Sequence, residues 1–166
     1  MKTKLLIIVT HWIVLSFIGC NNPKSFELSI QEKEQVRNEV KARFLKFSDD
    51  HEHARPEEAL SFYAIDDPEF LMAGHGTIKK VSAKEWSDSY LEFVRSNVKW
   101  IDVSTPEILV YVLTKNAASL TIEGKHKIIK TNGDTVVVKS VSYTWTMKKF
   151  QDGWKAVNGN GYHVYE

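Results

Sequence analysis

Cysteine is nearly missing from this chain. Cys20 is the only one in 166 residues, which excludes an intramolecular disulfide framework and any metal set built on several thiolates. A surplus of one charge is missing too: 22 basic residues face 21 acidic ones, with no basic stripe, so nothing argues electrostatically for nucleic acid. There is no Gly-rich phosphate loop, no nucleophile elbow, no Cys/His metal set, no internal repeat and no low-complexity segment. These absences remove phosphate-loop enzymes, elbow-type hydrolases and solenoids, and they give no reason to expect a cofactor or a metal.

What is present begins with a basic pair, Lys2 and Lys4, ahead of an apolar run from Leu5 to Ile18 broken mainly by Thr10, His11 and Ser16. The run is too short for a comfortable membrane span and reads as the apolar part of a signal peptide. It closes on Phe17-Ile18-Gly19-Cys20, which resembles a lipobox, with Phe17 where that pattern usually has leucine. The resemblance implies a bacterial lipoprotein: residues 1–19 are removed, Cys20 carries lipid and residues 20–28 form a tether. Asn21 after the cysteine is similar to the sorting signal that, in Gram-negative cells, implies the outer membrane. Loss of the first 19 residues leaves 147, enough for one core, and takes away Lys2 and Lys4, so that 20 basic residues face 21 acidic ones.

Along residues 29–166, Ser29-Ile30-Gln31-Glu32 is a capping box, and Val36, Val40, Phe44 and Phe47 share one helix face; this predicts a helix from about Ile30 to Ser48. His51-Glu52-His53 then falls in a charged, solvated loop, without the spacing of a zinc helix. Pro56 followed by Glu57 and Glu58 opens a short second helix ending near Tyr63, and Asp66-Asp67-Pro68 is turn chemistry. Glu69 to Ile78 reads as a small hairpin around Gly74-His75-Gly76. Ser82 and Glu85 open a third helix with Trp86, Tyr90, Phe93 and Val94 on one face, ending near Asn97.

From Val98 the period changes to two, and Lys115-Asn116, Asn132-Gly133 and Asp152-Gly153 divide the rest into four antiparallel strands. Pro106 should mark a bulge, and Gly124, Gly159 and Gly161 mark places for curvature. Two-residue turns set the rows: Leu113, Ala118, Met147 and Asn158; then Tyr111, Leu120, Trp145 and Asn160; then Leu109, Ile122, Tyr143 and Tyr162. This face should lie under the helices. The opposite face would carry Val110, Val112 and Val157 among small hydroxyl residues, with His163 beside the glycines.

Three helices, a small hairpin and a curved four-stranded sheet in this order resemble the nuclear transport factor 2-like superfamily. The ending Asp152-Gly153-Trp154-Lys155-Ala156-Val157 is similar to the last-strand start of its SnoaL-like members. The resemblance implies an α+β, cone-shaped fold of three helices on a strongly curved antiparallel sheet, used by some relatives for isomerase, dehydratase or cyclase chemistry and by others for binding or assembly. Many SnoaL-like chains carry histidine or serine where this one has Asn158 and Asn160, and asparagine cannot act as a base near neutral pH.

The sequence therefore points to a pocket for a small, largely apolar molecule, lined by Tyr111, Tyr143, Trp145, Asn158, Asn160 and Tyr162, in a lipid-anchored domain of the cell envelope that performs no catalysis. A filled core in which these polar tips satisfy one another is the competing reading. A lyase or isomerase would need His126 or His75 as base, although the expected register puts His126 at a solvated sheet end opposite Lys139. A third possibility is a protein-interaction or dimer-assembly domain, with a homodimer formed through the outward sheet face.

Overall fold

A computed structural model describes residues 27–74 and 82–166. Residues 1–26, with Cys20, and residues 75–81, with His75, lie outside the described residues. Helix α1 spans Ile30–Glu52, α2 Pro56–Leu60 and α3 Ala83–Asn97, and the strands are β1 Leu71–Gly74, β2 Val98–Thr114, β3 Ala117–Lys130, β4 Thr135–Phe150 and β5 Gly153–Tyr165. Ser29 caps α1 reciprocally with Glu32, as the residue types require, and the Ser82 hydroxyl accepts from the Glu85 N–H at the start of α3.

The described sheet has the order β1-β5-β4-β3-β2. β2 to β5 are antiparallel as expected, but β1 runs parallel to β5, with Leu71 opposite Asn158, so the sheet is mixed. Beside β1, Phe62 to Ala64 also follow β5: the Ala156 N–H donates to the Phe62 carbonyl and the Ala64 N–H to the Ala156 carbonyl. The helices cover one sheet face, and the core between them centres on Val40, Phe44, Phe62, Leu120, Trp145 and Met147.

Helix α1 is longer than the expected Ile30 to Ser48. Buried Asp50 holds its last turn, accepting from Lys46 Nζ at 2.6 Å and Arg55 Nε at 3.2 Å. His51 therefore sits on the helix and continues the buried stripe of Val36, Val40, Phe44 and Phe47 with another step of four; only His53 remains exposed.

Bulges change which strand residues face the core. Ala118 opposes Met147, Leu120 opposes Trp145 and Ile122 opposes Tyr143, as expected. At the Lys115-Asn116 turn Thr114 pairs with Ala117, but the register shifts by one at Leu113, so that Val112, Val110 and Ile108 oppose Ala118, Leu120 and Ile122. Val110 and Val112 thus pack on the core, while Leu109, Tyr111 and Leu113 face solvent, Tyr111 being 71% exposed. The last hairpin turns at Gln151-Asp152, one residue early, because Gly153 takes φ +119°, and a bulge follows between Thr146 and Met147. Asn158, Asn160 and Tyr162 consequently point away from the helices, and Gly159, Gly161 and His163 point toward them. One extra residue in a strand reverses every side chain beyond it.

The two glycines are required by close approach. A Cβ on Gly159 would fall 2.5 Å from Trp145 Cδ1, and one on Gly161 would fall 2.1 Å from Tyr143 Cδ1, so both rings lie directly over β5. At Gly124 a Cβ would meet the Ser104 carbonyl oxygen at 2.3 Å, beside the register shifts at Pro106 and between Gly124 and His126. The bulge expected at Pro106 is there.

Candidate functional site

Inside the cone is a cavity of about 540 Å³ between the helices and the inner sheet face. Its floor is aromatic: Phe44 and Phe47 from α1 meet Trp145, which stacks on Tyr143 at 5.1 Å with the rings nearly parallel. Trp86 and Tyr90 from α3 stack at 5.7 Å and form a wall, with Phe93 and Tyr165 both lining the cavity and partly exposed. No Asp, Glu, Lys or Arg is among the described lining residues.

Three histidines give this cavity its polar end. His51 arrives from α1, His126 from β3 and His163 from β5, with the His126 ring 6.2 Å from each of the other two. His51 Nδ1 lies 2.9 Å from the Tyr90 hydroxyl, while His163 has the Tyr143 hydroxyl 3.3 Å from Nε2 and the Tyr165 hydroxyl 3.5 Å from Nδ1. His126 makes no hydrogen bond to another described side chain.

Burial sets the protonation of these groups. It lowers the His51 pKa to about 3, helped by the neighbouring His126 and His163, and lowers that of His126 to about 4, helped by His163. Both rings are neutral at pH 7. Burial likewise pushes the Tyr143 hydroxyl up to about 12 and raises Tyr63 and Tyr90 strongly, so these phenols keep their protons. The buried Trp145 Nε1 has no hydrogen-bond partner among the described residues; Trp154 Nε1, by contrast, donates to Glu39. The cavity thus offers neutral donors and acceptors in an apolar surround.

Two of the six residues expected to line a pocket, Tyr143 and Trp145, are in this wall. Tyr111, Asn158, Asn160 and Tyr162 are on the opposite sheet face, for the register reasons above. His126 was expected at a solvated sheet end; it opposes Val138 instead of Lys139 and turns into the cavity. The sequence reading also missed His51 and His163. For His51 the signal was available, since it lies four residues after Phe47. For His163 there was none, because its face depends on the bulge in the last hairpin.

With this geometry fixed, comparison with known proteins becomes informative. No model of a protein family and no curated protein matches the chain. Solved structures do. A protein of the nuclear transport factor 2-like superfamily from Salmonella enterica superposes with a TM-score of 0.67 at 13% identity, covering 80% of this chain and 94% of its own. The chain has the nuclear transport factor 2-like fold. Other neighbours are a ketosteroid isomerase-like protein from Erwinia carotovora, with a TM-score of 0.62, 12% identity and coverage of 78% and 97%, and a hexachlorocyclohexane dehydrochlorinase from Novosphingobium barchaimii, with 0.63, 9%, and 83% and 93%. At such identities the likeness establishes the nuclear transport factor 2-like architecture and leaves the chemistry to the residues of this cavity. Among the described residues no group of three His, Cys, Asp or Glu side chains is arranged to hold a metal ion.

Proposed function

We propose that this domain binds a small, largely apolar molecule in its cone-shaped cavity without transforming it. The observation that carries the reading is an aromatic cavity of about 540 Å³ whose described lining has no Asp, Glu, Lys or Arg and whose His51 and His126 rings are neutral at pH 7. That volume and balance suit a ligand-sized apolar body with a few oriented hydrogen bonds. A general base needs a pKa near the working pH, and a carboxylate partner is the usual way to raise an imidazole. His126, at about 4, is a weak base, and among the described residues no Asp or Glu hydrogen-bonds it. Native mass spectrometry of the purified chain should find a co-purifying small molecule; His126→Leu should lose it while remaining folded. An empty cavity in every preparation counts against the proposal.

A lyase or isomerase is the second reading, and one finding favours it: His126 is inside the cavity with no hydrogen bond to another described side chain, in a fold shared with a dehydrochlorinase and a ketosteroid isomerase-like protein. Turnover of a bound molecule that His126→Leu abolishes without loss of binding would establish it.

The anchor is a proposal as well: the lipobox-like Phe17 to Cys20 supports a domain held in the cell envelope through lipid on Cys20. Stable attachment takes more than one acyl chain. Cys20→Ser should change both the membrane fractionation and the mass of the protein, and an unchanged fractionation and mass would refute it.

We also propose a homodimer through the uncovered sheet face, where Leu109, Tyr111 and Leu113 stand exposed among Ser119, Thr121, Thr144 and Thr146. This patch replaces the expected Val110, Val112 and Val157. Burying it would remove apolar area from water. Sedimentation at micromolar concentration should show a dimer that Tyr111→Glu converts to monomer with little change in protomer stability; a wild-type monomer throughout would end this proposal.

A further inference from the structure

The polar end of the cavity holds three imidazoles and, among the described lining residues, no Asp or Glu. Behind His126 lies a second depression of about 470 Å³ that shares His126 and Val138 with the cavity. It is lined by Lys125, Lys127 and Lys139 against Asp102 and Glu166, which leaves one positive charge in excess. Lys139 reaches Glu166 only at 3.9 Å. The groups around His126 are thus His51 from α1, Tyr90 from α3, Asp102 from β2, Lys125 and Lys127 from β3, Lys139 from β4, and His163, Tyr165 and Glu166 from β5. The imidazoles supply N–H donors at this end of the cavity, and the three lysines stand beside His126 in the adjoining depression.

Resting on the binding reading above, we infer that the ligand is a largely apolar acid, one carboxylate or comparable anion on an aromatic or aliphatic body, with its anionic group seated against His126. The body then lies on Phe44, Phe47 and Trp145, and the anion accepts hydrogen bonds from the His126 N–H and from nearby tyrosine hydroxyls. An anion beside the ring favours the imidazolium that burial otherwise suppresses, so binding takes up a proton onto His126. Affinity for the anion rises up to about tenfold for each unit of pH lowered, until the acid itself is protonated.

Fluorescence titration of the full chain with pyrenebutyric acid, its primary amide and a pyrenesulfonate tests this. The acid and the sulfonate should bind at least about tenfold more tightly than the amide near pH 6. His126→Leu should erase that preference. His126→Gln, similar in size but never cationic, makes the same test if the leucine variant does not fold. Equal binding of acid and amide, or a preference that survives both substitutions, overturns the anion and leaves the apolar pocket standing. Binding of the acid with exclusion of the sulfonate also overturns it, since the acid then enters neutral. If none of the three binds, the pocket reading itself fails.

Discussion

Acidification from pH 7 to about 4.5 should remove several kcal/mol of stability, at most about 5, with most of the loss above pH 4.5 where folded-state carboxylates are still ionised. The cause is the pair of buried imidazoles. In the unfolded chain His51 and His126 titrate near 6.5, whereas in the fold they titrate near 3 and 4. Between those limits the unfolded state binds protons that the folded state refuses, so stability is complete above about pH 6.5 and falls as the pH drops toward 4. Each such histidine contributes a slope of about 1.4 kcal/mol per pH unit. Glu32 and Glu39, held near 2 by Lys115 and Lys149, are ionised in both states above about pH 5 and add to the loss only below it. Urea unfolding at a series of pH values measures this directly. His126→Leu should remove roughly half of the slope between pH 6.5 and 4.5, and a midpoint that stays flat from pH 7 to 5 would show that the rings are not buried as described.

Replacing Phe62 with alanine should cost about 3 to 5 kcal/mol, the largest effect expected of a single side chain here. Phe62 has no solvent exposure and joins the three parts of the core. Its ring stacks on Phe47 of α1 at 4.5 Å, meets Trp145 of β4 edge-on at 5.6 Å, and lies under the Arg43 guanidinium at 5.5 Å. Its carbonyl accepts from Ala156 in β5, so the backbone cannot easily collapse into the space left behind. Denaturant unfolding should show a lower midpoint with an unchanged slope. A loss below about 1 kcal/mol would mean that this ring is not the junction the packing indicates.

Much of this molecule could be read in advance, because caps, helix stripes and turn dipeptides act over a few residues. Ser29 with Glu32 and Ser82 with Glu85 start the two long helices, and the change to a period of two at Val98 opens the four-stranded region; both are local physics and both are in the structure. The central rows Ala118–Met147, Leu120–Trp145 and Ile122–Tyr143 also follow from pattern alone, since only one face of β3 and β4 is apolar. The change of period along the chain indicated helices followed by an antiparallel sheet, and the resemblance to the nuclear transport factor 2-like superfamily implied a cone. Tertiary structure alone decided what lines that cone. Slips at Leu113 and between Thr146 and Met147 turned Tyr111, Asn158, Asn160 and Tyr162 outward and His163 inward, and the shift between Gly124 and His126 brought His126 from the rim to the wall. Such slips are settled by which side chains fit between packed layers: Trp145 and Tyr143 can lie over β5 only where glycine faces them. The sequence holds those glycines in plain view, but which face they occupy is a property of the whole sheet.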